Sequence, residues 1–313
     1  MKLTFFKNRS MVALWIILAI TFLITGLVDS YFFSIPSIGI TLQLAAPLGL
    51  LAAAQTIVML TGGIDLSVAM IATGAAYIVS VKSSSGLAAA LLFAFAFCVL
   101  VGALNGIAVG LFGVNPLIMT LSMSAILIGV FTVGVSTFLR GSSRMPDILV
   151  TMSSGLILDP ITWPLVVWIV LGGLVHTLLT RTGFGRVIYA IGDNSQAARL
   201  AGIKVWKVQV AAYVASGVLG GFAGIMLGGQ SGAVAISLAN SYLLPSVAAV
   251  VIGGTSIMGG MGTYSGSVMG ALILSVLSYL LATLNSSEAF KQLVYGGIVL
   301  ALAWVYSSIS ERK

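Results

Sequence analysis

Asp65 is the residue in this chain best placed to do chemistry, because the segment Gly62-Gly63-Ile64-Asp65-Leu66-Ser67-Val68 carries it between two long apolar stretches. An ionisable group between membrane-length helices is costly and marks a substrate or ion contact by default. The same carboxylate could instead cap the next helix, accepting backbone N–H bonds after a glycine turn. Both roles suit the spacing. The other reactive residue types are isolated. The single cysteine, Cys98, lies inside an apolar run, which excludes a disulfide, a thiol relay or a cysteine zinc site and leaves packing. Gly229-Gln230-Ser231-Gly232 has the Gly-x-Ser-Gly pattern of intramembrane serine proteases, which pair the serine with a later histidine. The only histidine, His176, comes earlier, and an unpartnered imidazole is no general base. An aspartyl protease would need a second intramembrane aspartate facing Asp65. No Gly-x-x-x-x-Gly-Lys-Ser/Thr loop is present to cradle nucleotide phosphates. No catalytic residue, metal ligand or cofactor is therefore expected.

The elements that hold these residues follow from composition. Of 313 residues, 59% are hydrophobic and 7% charged, with 14 basic and 7 acidic side chains. A soluble domain carries about 25% charged residues, so so few charges cannot clothe a water-facing surface. The chain is expected to be an all-α polytopic membrane protein. A crossing helix needs about 20 apolar residues, and apolar segments can be drawn at 11–28, 38–60, 69–81, 87–111, 116–139, 161–180, 208–228, 242–257, 264–284 and 290–307, which makes about ten crossings. The first resembles a signal peptide, with Lys2, Lys7 and Arg9 before it. It is too long and lacks a following Ala-x-Ala site, so it is expected to remain as a helix. Segment 69–81 is short, and Pro36, Pro47, Pro116 and Pro245 fall in or beside apolar runs. Some helices should therefore be broken, which membrane proteins tolerate where backbone is buried in protein or lines a cavity.

Parity then sorts the net charge of +7. With the amino terminus inside, one side receives Lys2, Lys7, Arg9, Arg181, Arg186, Arg199, Lys204, Lys207, Arg312 and Lys313. The other receives Lys82, Arg140 and Arg144, with Lys291 near a boundary. This is the positive-inside pattern with both termini cytoplasmic, and it removes any reason to invoke nucleic acid. Val58-Met-Leu-Thr-Gly-Gly and Val250-Val-Ile-Gly-Gly-Thr echo each other as helices ending in Gly-Gly, as repeats in transporters do.

The loop at 181–207 is a different signal. Asp193 followed by Gln196 matches a capping box, and Gly202 is placed to end a short helix at about 194–201 in a left-handed turn. Two turns of helix need a surface to dock on, and Ala197, Ala198 and Ala201 offer a smooth face suited to a protein groove.

Four ordered blocks together resemble the membrane subunit of ATP-binding-cassette sugar importers of the ribose, xylose, arabinose and galactose type. They are Gly62–Val68; Asn105-Gly106 with Val114-Asn-Pro-Leu-Ile-Met-Thr-Leu121; Thr182–Gly192 with Ala197–Ile203; and Val251–Gly262. Two positions depart from the pattern: Ala69 where members often carry Gly, and Leu243-Leu-Pro-Ser246 where members often carry an acidic segment. The second bears on substrate, since it changes the outer approach to a segment that could line the pathway. The resemblance implies one permease domain over 1–313 in the bacterial inner membrane. It implies an ATPase subunit, a periplasmic sugar-binding protein and a second permease subunit, alike or different, as partners within the bilayer. It also makes 194–201 the coupling helix, with Arg186, Asp193, Asn194, Gln196, Ala197, Ala198, Arg199 and Gly202 as its contact set. Gln55, Asp65, Ser67, Asn105, Asn115, Thr120, Thr255 and Ser256 are the polar residues expected along the solute route. The alternative is an ion-coupled secondary transporter of a small polar solute, for which Asp65 is the only plausible carboxylate.

Overall fold

A computed structural model describes residues 2–136, 143–158 and 160–310, without the side chains of 2–10, 135–136 and 302–310. The expected charges at Lys2, Lys7 and Arg9 belong to those side chains, and Arg140, Arg312 and Lys313 lie outside the described residues, as does the end of segment 116–139.

Thirteen helices occur among the described residues: α1 Lys2–Val28, α2 Ile35–Leu60, α3 Val68–Lys82, α4 Leu87–Gly110, α5 Pro116–Ser136, α6 Asp147–Ser154, α7 Trp163–Arg181, α8 Gly183–Asp193, α9 Ser195–Leu200, α10 Val205–Ser231, α11 Leu243–Ile252, α12 Tyr264–Thr283 and α13 Glu288–Ser310. A two-stranded hairpin, β1 Leu156–Leu158 with β2 Ile161–Thr162, precedes α7. Each of the ten apolar segments contains a helix, although 161–162 is strand and 253–257 is turn and irregular chain. Seven helices are long and apolar enough to cross a membrane: α1, α2, α4, α5, α7, α10 and α12. The helices α3 and α11 have only 15 and 10 residues, about 22 and 15 Å at 1.5 Å per residue, so neither spans alone. Each is completed by non-helical chain, 61–67 before α3 and 253–263 after α11. Of the ten crossings expected, seven are met by helices long enough to cross by themselves, while α3 and α11 are short helices joined to turns and irregular chain.

The centre is α2 and α10, 72% and 67% buried over their membrane-length windows, whereas α1 is 17% buried and lies at the rim. The seam between α4 and α10 is built on a four-residue glycine spacing. A Cβ at Gly102 would come 2.5 Å from the Tyr213 carbonyl oxygen, and one at Gly110 would come 2.9 Å from Trp206 Cα, while Gly106 abuts Val210. Backbones approach this closely in lipid because dispersion contact, not water exclusion, drives helices together there. Cys98 sits in the same seam, fully buried, with its Sγ beside Gly221.

One end of the bundle carries α8 and α9, and the helix ends near it hold Arg181, Arg186, Arg199, Lys204 and Lys207. The opposite end carries Lys82, Arg144 and Lys291, tied there by contacts such as the Arg144–Ala233 bridge just beyond α10. His176 lies near the α8 end of α7 and Ser231 closes α10 at the far end. The serine and histidine of a protease are thus held at opposite ends of the bundle.

Candidate functional site

The two broken traverses open with the same turn. At the end of α2, Gly62 N–H donates to the Met59 carbonyl and Gly63 N–H to the Val58 carbonyl. At the end of α11, Gly254 N–H donates to Val251 and Thr255 N–H to Val250 in the identical register. This is the paired-bond helix ending that requires a left-handed residue. Gly62 and Gly254 supply it with φ of 84° and 85°. The echo between 58–63 and 250–255 is therefore a repeated turn, not a coincidence of glycines.

From its turn, chain 61–67 runs into the middle of the bundle, where five of the expected polar residues meet. Asp65 Oδ1 accepts from the Ser67 backbone N–H at 3.0 Å and from the Ser67 hydroxyl at 2.6 Å. Its Oδ2 accepts from the Ser216 hydroxyl of α10 at 2.8 Å. Gln55 on α2 donates Nε2–H to the Asp65 carbonyl at 2.8 Å and accepts from the Asp65 N–H at 3.3 Å. Asn105 on α4 donates to Ser67 Oγ at 2.8 Å. Thr120 on α5 donates to the Ile64 carbonyl and accepts from the Leu66 N–H, both at 3.0 Å. Side chains of α2 and α5 thus satisfy backbone that has left the helical ladder, the condition for such backbone at membrane depth, while α4 and α10 hold the Ser67 and Asp65 side chains. Ser216 is the twelfth residue of α10, so the knot lies about 16 Å along that helix from its α9 end.

Asp65, Gln55, Ser67, Asn105 and Thr120 are all fully buried and bonded within the knot, and of their buried side-chain polar atoms Asn105 Oδ1 alone lacks a partner among the described residues. One expectation changes. Asp65 is not the N-cap of α3; Ser67 holds that position without a side-chain cap bond, and Asp65 closes the turn from two residues earlier. The remaining three stand elsewhere. Asn115 is exposed and caps α5, its Oδ1 accepting from Leu117 N–H at 2.9 Å. Ser256 Oγ accepts from Met258 N–H at 3.1 Å within 253–263. Thr255 is buried, and its hydroxyl has no partner among the described residues.

The loop at 181–207 contains two helices where the sequence suggests one. The first, α8, has a buried stripe of Gly185, Ile188 and Ile191, a period the charged flanks conceal. The cap of α9 is Asn194, whose Oδ1 accepts from Ala197 N–H at 2.9 Å. Asp193 is the last residue of α8, so the expected capping box of Asp193 and Gln196 does not form. Gly202 has φ of 82° directly after the helix. Ala198 is 5% exposed and packs with Ile191 and Val205 in the chain's own core, so it cannot belong to a docking face. Ala197, Ala201, Gln196, Arg199 and Arg186 are exposed. Leu200, 85% exposed, shares their side of α9, and its apolar type among charged and polar neighbours is a sequence signal for a docking face.

The two regions touch. Gly260 N–H of the second broken segment donates to the Leu60 carbonyl at 3.1 Å, and the Tyr189 hydroxyl of α8 donates to the Gly262 carbonyl at 2.9 Å. Gly192, in the last turn of α8, abuts both Leu60 and Gly260 with no room for a Cβ. Any displacement of α8 and α9 therefore bears on both broken traverses at once.

The family described as branched-chain amino acid transport system / permease component matches residues 37–303. The autoinducer 2 import system permease protein LsrC of Yersinia pestis (strain Pestoides F) is 32% identical over 303 residues, covering 95% of this chain and 84% of that protein. LsrC of Photorhabdus laumondii is 31% identical over 305 residues, with 95% and 88% covered. LsrC of Yersinia enterocolitica is 32% identical over 303 residues, with 95% and 82% covered. No solved structure matches the chain.

Proposed function

The chain belongs to the branched-chain amino acid transport system permease component family, and from that membership we propose the mechanism by which it works as the transmembrane subunit of an ATP-driven importer of a monosaccharide-sized polar solute. It is a multi-pass protein of the inner membrane and a transport subunit, not an enzyme; an ATPase subunit and a periplasmic binding protein work with it. The finer statements are our reading. One permease domain fills 1–313, a second permease subunit completes the pathway, and the α8–α9 end faces the cytoplasm with both termini, in keeping with the gathering of basic residues there.

The observation that carries the mechanism is the contact of α8, through Tyr189 and Gly192, with Gly260 and Gly262 of the second broken segment and with Leu60 at the end of α2, where the first begins. In this reading α9 seats in the ATPase by Leu200 with Ala197 and Ala201 around it, and α8 passes the motion of that dock to 61–67 and 253–263. The knot around Asp65 keeps the first segment a rigid body while it moves. Gln55, Asp65, Ser67, Asn105 and Thr120 thus act by holding the pathway wall, and solute specificity lies with surfaces that must bind weakly enough to release.

The test is uptake of labelled monosaccharides into proteoliposomes holding the assembled importer. Uptake that requires ATP and the binding protein supports the proposal. Uptake driven by a proton or sodium gradient without ATP would transfer Asp65 to the ion-coupled alternative.

A further inference from the structure

At the end of the bundle opposite α9, a cavity of about 290 Å³ opens between the outer part of α2, the start of α11, the end of α12 and the start of α13. Its walls include Tyr242, Ser278, Tyr279, Glu288, Lys291 and Tyr295. This is an unusual collection for a chain with 21 charged residues in 313. A second cavity, between α1, α7 and α12, is walled by Met11, Trp15, Leu165, Trp168 and Met269 and is built for apolar matter. The first offers the opposite chemistry.

We propose that this cavity is a binding site for a neutral polyhydroxylated solute of monosaccharide size, the first station of the imported molecule inside the subunit. The inference rests on the importer reading above. Three observations carry it. The charges are balanced locally, Glu288 Oε2 and Lys291 Nζ standing 3.3 Å apart, so the site favours no ion of either sign. Donors and acceptors alternate around the wall: the carboxylate accepts, the ammonium donates, and the Ser278 and Tyr295 hydroxyls, bonded to each other, do both. Hydroxyl groups of a sugar require that mixture. Tyr242 and Tyr279, both half-buried, supply ring surface for the C–H faces of the same molecule while keeping a polar tip, and Tyr295 closes the wall behind them, almost wholly buried.

The volume limits the ligand. Small-molecule sites run from about 300 Å³ upward, so a single sugar ring fits and a disaccharide does not. The walls are also held apart firmly. Gln292 Nε2 donates to the Ser241 carbonyl at 3.0 Å, fixing α13 to the turn before α11. The Tyr279 hydroxyl donates to Asp29 Oδ2 at 2.8 Å, fixing α12 to the turn before α2. A preformed cavity loses little on filling. Because α11 leads from this cavity to the broken segment 253–263, an occupant sits at the head of one of the two traverses that α8 can move.

The experiment uses the full importer in lipid nanodiscs with Ser278→Cys, or with Ala282→Cys at the same wall should the first variant fold poorly. Cys98 is fully buried and remains unlabelled. The rate of mixed-disulfide formation with a methanethiosulfonate ammonium reagent, which expels methanesulfinate, is followed with D-ribose, D-xylose, L-arabinose, D-galactose or L-leucine added at millimolar concentration. One sugar should slow the labelling at least threefold, and Glu288→Gln should raise its half-protecting concentration about tenfold by removing a charged acceptor. Cysteines that never react would overturn the proposal, since the cavity would then be closed. Labelling that no sugar slows would also overturn it, even in an importer that takes the sugar up, a result that leaves the importer reading intact. Protection by L-leucine alone would replace the polyol with a zwitterion. Protection by a sugar without ATP-dependent uptake would sustain the site and sink the importer reading.

Discussion

Replacing Asp65 separates a brace from a binding group. Its carboxylate accepts three hydrogen bonds, two from Ser67 and one from Ser216, and it is fully buried with no basic side chain in the knot. In Asp65→Asn the amide oxygen can accept both Ser67 donors, while the amide nitrogen donates to Ser216 Oγ, whose hydroxyl turns to accept. All three contacts survive, and the cost should stay within about 1 kcal/mol. Asp65→Leu strands the Ser67 N–H and two hydroxyls. At about 1–3 kcal/mol for each buried donor left unpaired, and with membrane measurements nearer the low end, the loss is about 3–6 kcal/mol. That is comparable with the whole stability of many proteins, about 5–15 kcal/mol. Thermal unfolding followed by fluorescence-detected size exclusion, with uptake measured on the folded fraction, reads both effects. Asp65→Asn should unfold near the wild-type temperature and transport, whereas Asp65→Leu should be recovered mainly as aggregate. A stable, assembled Asp65→Asn protein without transport would refute the reasoning, because a brace needs an acceptor and not a charge.

Other substitutions follow from the same geometry. Leu200→Asp should leave the unfolding temperature unchanged and reduce co-purification of the ATPase at least tenfold, whereas Ala198→Glu should lower the unfolding temperature of the permease alone, since it buries an unpaired carboxylate against Ile191 and Val205. Equal effects of the two on the isolated subunit would show that α9 has been oriented wrongly. Gly62→Ala should cost about 1–2 kcal/mol through its left-handed backbone, and Gly254→Ala a similar amount, read as a matched fall in unfolding temperature. Gly106→Val should abolish recovery of folded protein, because α4 and α10 cannot separate at one point of a continuous seam without losing Gly102 and Gly110 as well.

What the sequence discloses about this fold depends on which force sets each element. Lipid sets the ten apolar segments through length and hydropathy, and each contains a helix. The glycine turns at 62 and 254 are legible because a left-handed backbone restricts the residue type. The capping of α9 is shifted by one residue because Asp193 and Asn194 are both competent caps, and only the packing of Ile191 beneath α8 decides between them. Ala198 is misread for a related reason: an alanine fits a core as readily as a groove, and nothing in Ser195–Leu200 states which side faces the bundle. Leu200 was legible in principle, since an apolar side chain among Gln196, Arg199 and Lys204 calls for a partner. Five members of the knot are named by the sequence, but Ser216, one more serine in a long apolar helix, is not, and the role of the knot is not legible either. Asp65, Gln55, Asn105 and Thr120 come from four separate stretches of chain, and whether they face a route or each other is a property of tertiary packing alone.

The identity of the two turns bears on how the pathway moves. A half helix joined to extended chain has a soft point where the ladder ends, and 61–67 and 253–263 place theirs in the same register. The first is stiffened by side chains from α2, α4, α5 and α10. The second has no comparable knot: the Thr255 hydroxyl is buried without a partner, and the bonds of Ser256 stay within the segment. An unsatisfied buried hydroxyl costs about 1–3 kcal/mol, a penalty that a shifted conformation can relieve. The first segment carries the same mark, since Asn105 Oδ1 and the Tyr213 hydroxyl against Gly63 are buried without a partner among the described residues, so the two segments differ in how many side chains brace them. Since α8 touches Leu60, just before the first segment, and Gly260 and Gly262 within the second, a displacement at the α9 end would reach the chain beside both turns.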